Sequence, residues 1–166
     1  MISSDTLGIV DSLAELALQN NRVLATAESC TGGLIAAAFT ELSGSSAWFD
    51  RGFVTYSNDA KHSMLGVSTE MLTNHGAVSE EVVIAMANGA VAASEANIAV
   101  SVSGVAGPTG GSAAKPVGTV WIGCAGEGVA SVAQHCLFEG DRQSVRLQTV
   151  DHAIHLLINC IKNSSF

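Results

Sequence analysis

Seven residues, Ala27-Glu28-Ser29-Cys30-Thr31-Gly32-Gly33, stand between two apolar runs of different character. Val23-Leu24-Ala25-Thr26 reads as a short buried strand, and Leu34-Ile35-Ala36-Ala37-Ala38-Phe39 opens a buried helix reaching about Leu42. A strand that passes into a helix through so short a turn commits the chain to a β–α unit. Such a junction leaves the first backbone N–H groups of the helix without intrahelical partners. Gly32 and Gly33 let a ligand approach that backbone closely. A nucleophile and an anion site therefore fit within one turn. A Ser or Thr here also serves as an ordinary helix N-cap, and Gly-Gly as an ordinary turn, so the local sequence leaves both readings open.

The rest of the chain extends the β–α pattern. Ser3, Ser4 or Asp5 caps a first helix with the stripe Leu7, Val10, Leu13, Leu16 and Ala17. Phe53-Val54-Thr55-Tyr56-Ser57 is rich in strand formers, and Asn58 is placed to cap a short helix over 59–65. A further short helix is expected near 69–73, and a long one, capped by Ser79, over about 80–95. Ile98-Ala99-Val100-Ser101-Val102 is a buried strand running into a glycine loop over 103–112. Two strands over 117–124 and 129–138 flank a hairpin turn at Gly126-Glu127-Gly128, a last helix spans about 142–162, and residues 163–166 are expected to fray. Early alternation and a late hairpin predict an α/β protein: one domain over 1–166, built as a three-layer α/β/α sandwich with a mixed β-sheet.

Composition narrows the chemistry. The chain is 48% hydrophobic and 13% charged, so a sizeable core is available, and its net charge of -8 argues against a nucleic-acid backbone as partner. No apolar run approaches the roughly 18 residues of a membrane span, and Met1-Ile2-Ser3-Ser4-Asp5 lacks the basic start of a secretory signal, so a soluble cytoplasmic protein is expected. The seven cations are Arg22, Arg51, Lys61, Lys115, Arg142, Arg146 and Lys162; all but Arg22 and Lys162 fall in or beside polar, glycine-containing segments, which suggests a local pocket for a small anion. Cys30, Cys124, Cys136 and Cys160 form no CxxC pair, no Cys/His spacing fits zinc, and no Walker or Rossmann glycine pattern is present. Neither a metal nor a cofactor is expected.

Polar or glycine loops follow three strands, and in an open α/β sheet ligands bind beyond the carboxyl ends of strands. If those strands are parallel neighbours, Ser29, Lys61 and the glycine loop share one cleft. A serine hydroxyl needs a base. His62 and His75 are the only histidines near these loops, and Lys61 is the better candidate, because a lysine withdrawn from water beside other cations gives up its proton more readily. Tyr56 is placed to orient that lysine or pass a proton. The alternative for Lys61 is a solvated helix-surface lysine, and Cys30 is a rival nucleophile without an obvious activating pair. Ser112-Ala113-Ala114-Lys115 matches S-x-x-K, but glycines and Pro116 bracket it, so it reads as a loop and not as the helix that motif requires. Gly107, Gly110 and Gly111, with Arg142 at a helix start, offer N–H groups and a fork of donors suited to phosphate, with Arg146 and Lys115 as the alternative cations, or simply turn chemistry.

Together these segments resemble the C-terminal domain family of the competence/damage-inducible protein CinA, and within it the stand-alone nicotinamide-nucleotide amidases of bacteria. The resemblance is carried by Ala27-Glu28-Ser29-Cys30-Thr31-Gly32-Gly33, Gly44-Ser45-Ser46-Ala47-Trp48-Phe49, Gly52-Phe53-Val54-Thr55-Tyr56-Ser57-Asn58 with Lys61, and His75-Gly76-Ala77-Val78-Ser79. It continues through Ser103-Gly104-Val105-Ala106-Gly107-Pro108, Gly110-Gly111-Ser112, Lys115-Pro116-Val117-Gly118-Thr119-Val120 and Gly140-Asp141-Arg142. It implies hydrolysis of the carboxamide of nicotinamide mononucleotide to nicotinate mononucleotide and ammonia, without a metal, by a homo-oligomer. The family nucleophile falls on Ser29, its lysine on Lys61 and its supporting tyrosine on Tyr56. Cys30, Thr31, Gly32, Gly33, Ser46, Gly107, Gly110, Gly111 and Arg142 are the expected oxyanion and substrate contacts. The alternative is a non-catalytic nucleotide-binding or partner-binding module of the same family.

Overall fold

The computed structural model describes residues 2–165. Its five strands are β1 (Leu24–Glu28), β2 (Phe49–Val54), β3 (Ile98–Gly104), β4 (Thr119–Gly126) and β5 (Val129–Leu137), and they form one sheet in the order β2-β1-β3-β4-β5. β1 runs parallel to both β2 and β3, whereas β4 and β5 are antiparallel additions. The six helices are α1 (Ser4–Gln19), α2 (Leu34–Thr40), α3 (Asn58–Leu65), α4 (Thr69–His75), α5 (Glu80–Ala92) and α6 (Arg142–Lys162).

Alternation along the strands separates two cores. Leu24, Val100 and Ile122 point to one face, where Val10 and Leu13 of α1, Phe39 of α2 and Ile154 and Leu157 of α6 cover them. Ala25, Ala27 and Ala99 point to the other, against Leu65, Leu72, Val82 and Met86 from α3, α4 and α5. The expected three layers follow. β1 is buried along its whole length, as a parallel strand covered on both faces should be. Phe39 meets Trp48 and Phe49 edge-on, its ring centre 5.2 Å and 5.3 Å from theirs, and the three rings wedge the amino end of β2 against α2. Truncating Phe39 to alanine would cost about 3–5 kcal/mol on the scale of buried aromatics.

Several local expectations shift. Ser3 caps α1, and Ser57, not Asn58, caps α3 by accepting the Ala60 N–H. β2 lies earlier than the strand-forming composition suggests: the chain leaves the sheet after Val54, because Ser57 must already be placed as a cap. α5 stops at Ala92, three residues early. The hairpin turn between β4 and β5 is Glu127-Gly128 alone. The carboxyl tail does not fray at 164–165, where Ser164 N–H bonds Ile161 O and Ser165 N–H bonds Gly128 O; Phe166 lies outside the described residues.

Candidate active site

β1 and its two parallel neighbours put their carboxyl ends at one edge of the molecule, and the chain turns there into the Ser29 turn, the Tyr56–Lys61 segment and the glycine loop. Glu28, the last residue of β1, is fully buried. Its Oε1 accepts from the Thr31 hydroxyl at 2.7 Å and the Ile35 N–H at 2.9 Å, and its Oε2 from the Ala36 N–H at 3.0 Å and the Thr26 hydroxyl at 3.1 Å. Four donors converge on one acceptor-only carboxylate. This corrects the reading of the helix start: the first N–H groups inside α2 do not face a ligand, because Glu28 fills that end. Gly33 stands at the N-cap with φ of 101°, where no side-chain cap is present, and so supplies the left-handed turn. Within the turn the Gly32 N–H donates to Ser29 O, and the N–H groups of Thr31 and Gly33 meet no acceptor among the described residues.

Ser29 and Lys61 meet. Lys61, on α3, is 1% exposed; its Nζ donates to Ser29 Oγ at 2.9 Å and to the Thr55 carbonyl at 2.7 Å. Burial, rather than the neighbouring cations, lowers the Lys61 pKa to about 8, because desolvation penalises the ammonium. Thr55 thus enters the site through its backbone, held where its own N–H bonds Glu28 O at 2.8 Å. Residue type gives no sign of this; only the approach of β2 to β1 does.

Tyr56 is 63% exposed at the mouth of the crevice and makes no hydrogen bond to Lys61 or Ser29; its hydroxyl accepts from Arg142 Nη2 at 3.1 Å. The Thr55 carbonyl, one residue earlier, takes the lysine-orienting place expected of Tyr56. Cys30 is buried beside Ser29, and burial pushes its thiol up to about 11, which leaves little thiolate near neutral pH and weakens it as a nucleophile.

The remaining expected contacts divide. Arg142 Nη1 donates to the Gly107 carbonyl at 2.8 Å, which ties the start of α6 to the glycine loop. Arg146 is spent on the Cys30 and Thr31 carbonyls, and Lys115 Nζ on the His75 carbonyl at 3.0 Å. Gly107 has φ of 79°, and a Cβ there would meet Val117 Cγ1 at 2.5 Å. Gly110 and Gly111 lie on the exposed outer part of the loop, away from the crevice walls. The Lys115 N–H donates to Ser112 Oγ, so the S-x-x-K match is a turn. Ser46 and Arg51 lie elsewhere in the chain. Ser46 sits in a 3-10 turn (Ser45–Ala47) just before β2, at the amino end of the sheet and so on the far side from Ser29. Arg51 is paired with Asp50 at 2.7 Å, also outside the crevice. The motif around Ser46 earns its place through Trp48, which is buried in the core.

The crevice, about 280 Å³, is lined by Ser29, Cys30, Tyr56, Lys61, Ser103 and Ala106 among others, and among the described residues no Asp or Glu lines it. It shares Ala106 and Arg142 with a larger cavity of about 750 Å³ bordered also by Pro108, Val117, Asp141 and Arg146. Among the described residues no cluster of His, Cys, Asp and Glu is arranged to hold a metal ion, and no helix is long and apolar enough to cross a membrane.

Comparison with known proteins places this geometry. The model of the CinA C-terminal domain matches residues 7–161. The chain is 64% identical over 122 residues, 74% of each sequence, to the nicotinamide-nucleotide amidohydrolase PncC of Enterobacter agglomerans. It is 49% identical over 160 residues, 95% of each, to the protein of that name from Escherichia coli K12. Among solved structures, the competence/damage inducible protein CihA from Agrobacterium tumefaciens superposes with a TM-score of 0.94 at 45% identity, covering 96% of this chain and 98% of that one.

Proposed function

The chain belongs to the CinA C-terminal domain family, and from that premise we propose that it is a cytoplasmic amidohydrolase converting nicotinamide mononucleotide and water to nicotinate mononucleotide and ammonia. The observation that carries the reading is the 2.9 Å contact between Lys61 Nζ and Ser29 Oγ in a crevice that strips the lysine of water.

Thr55 O can only accept, so it holds one Nζ–H and leaves the lone pair of the neutral amine free to face Ser29. As Ser29 Oγ adds to the carboxamide carbon, Lys61 takes its proton. The carbonyl oxygen becomes an alkoxide, for which the unoccupied N–H groups of Thr31 and Gly33 are the donors at hand. The C–N bond then breaks, and Lys61 returns the proton to the departing nitrogen, which leaves as ammonia. Water attacks the acyl ester in the second half. Lys61 accepts its proton, the ester C–O bond breaks, and the proton returns to Ser29 Oγ. The cationic pyridinium withdraws density from the carboxamide and makes its carbon more electrophilic. Arg142, with the glycine loop, is assigned to the phosphate, and Tyr56 to the substrate's flank beside it. The proposed assembly is a homo-oligomer, and Ser46 is given no part in the reaction.

Ammonia release from nicotinamide mononucleotide tests the reading. Ser29→Ala should lower kcat by about 10⁴-fold or more, as when a nucleophile is lost. A Ser29→Ala protein working near the parent rate would refute it, and a parent protein that binds the nucleotide without releasing ammonia would instead be a binding module.

A further inference from the structure

Arg146, which the proposed reaction does not use, grips the turn that bears Ser29. It lies one helical turn beyond Arg142 on α6 and is half-buried. Its Nε donates to the Cys30 carbonyl at 3.0 Å and its Nη2 to the Thr31 carbonyl at 2.9 Å. A guanidinium committed to two successive carbonyls fixes the orientation of the peptide planes between them, as its rigid fork does for any pair of acceptors. The Cys30 carbonyl shares its peptide with the Thr31 N–H. Density drawn toward that oxygen makes the N–H on the other side a stronger donor, since hydrogen-bonded peptides polarise one another. The Thr31 N–H is one of the groups in the turn that meets no acceptor among the described residues. Glu28 does the complementary work beneath the turn, where it holds the Thr31 hydroxyl and the Ile35 and Ala36 N–H groups. An anion therefore secures donors of this segment and a cation two of its acceptors, while the Thr31 and Gly33 N–H groups meet no acceptor among the described residues.

We propose that Arg146 is a positioning residue for hydrolysis: by clamping the Cys30 and Thr31 carbonyls it aims and strengthens the Thr31 N–H toward the alkoxide that forms at the carboxamide. This rests on the assignment of Ser29 as nucleophile. The clamp acts when negative charge develops on the substrate oxygen, so its loss falls on kcat and leaves the affinity for the ground-state nucleotide nearly unchanged.

Arg146→Met tests this with steady-state ammonia release and with the Thr31 amide proton followed by NMR in the protein without substrate. The expected result is a fall in kcat of about 10- to 100-fold with KM within about threefold, below the cost of deleting an oxyanion donor outright. The Thr31 amide resonance should move upfield while strand amides in β3 and β4 stay in place. Arg146→Lys, which reaches one carbonyl but not both, should fall between and carries the test if the methionine variant does not fold. A kcat within twofold of the parent overturns the inference, as does a loss confined to KM, which would make Arg146 a phosphate ligand. An unmoved Thr31 resonance overturns it too. Ser29→Ala assayed alongside separates the two claims: full activity there sinks the nucleophile reading and this inference together, whereas an inactive Ser29→Ala beside an Arg146→Met protein of parent kcat sinks this inference alone.

Discussion

Residues 28–33 and residues 104–118 leave the carboxyl ends of neighbouring parallel strands, yet they are held in opposite ways. In the first, Glu28 and Thr31 are fully buried, Ser29 nearly so, and two charged side chains from different elements hold Thr31, Glu28 by its hydroxyl and Arg146 by its carbonyl. In the second, residues 108–114 are exposed. That outer stretch is pinned at its base by Arg142 on Gly107 O, and near its end by the Ser112–Lys115 turn and Lys115 on His75 O. The tight turn places an attacking oxygen, where an error of a fraction of an ångström is costly. The looser loop borders the larger cavity, where fitting a nucleotide matters more than fixed geometry. One edge of the sheet thus separates reaction from grip.

The sharpest way to break that contrast is at the base. Lys61→Met should lower kcat by about 10³-fold or more, the cost of losing both the base and the acid of one proton shuttle. In the parent, kcat/KM should rise with pH and level off above about 8, the folded pKa of Lys61, because only the neutral amine accepts the proton. Stability carries the same signature. A buried lysine whose pKa is depressed on folding binds fewer protons than in the unfolded chain between about 8 and 10.5, so the parent gains stability as pH rises through that window and lacks it below. Urea unfolding at pH 7 and pH 10 should show the parent gaining about 2–3 kcal/mol relative to Lys61→Met.

Next in size is the anion beneath the turn. Glu28→Gln keeps the shape but turns one acceptor into a donor that faces bound N–H groups. A loss of about 2–3 kcal/mol in urea-unfolding stability is expected, together with a fall in kcat as the turn loosens. Smallest should be the change on the adaptable side. Arg142→Ala should raise KM about 10- to 100-fold, the worth of a charge-assisted contact to phosphate, with kcat changed less than by Lys61→Met. If Arg142→Ala instead lowered kcat as far as Lys61→Met at unchanged KM, the division between the two regions would be wrong.

Much of this arrangement was legible in the chain. Periodicity gave the helix faces, the alternating β–α order and late hairpin gave three layers and a mixed sheet, and the short polar turns after apolar strands pointed to Ser29 and Lys61 together. What stayed hidden has physical reasons. The Thr55 carbonyl belongs to the backbone, and which carbonyl a lysine finds depends on where β2 ends. The first turn of α2 looks open in sequence because a buried acid closing it from within the preceding strand resembles any strand-end residue. Arg142 and Arg146 are equivalent in spacing terms, and only the docking angle of α6 gives one the loop and the other the turn. The place of Ser46 at the amino end of the sheet was hidden too, because nearness in motif order says nothing about which end of a parallel strand a residue occupies.

The contact between Arg146 and Cys30 O spans 116 positions in the chain. The clamp closes only when that last helix docks, and the same docking covers one face of the sheet with Ile154 and Leu157. Contacts of such long range form late and slowly. The full hydrolytic rate would then be reached only when α6, which also brings Val145, Ile154 and Leu157 to one of the two cores, is in place.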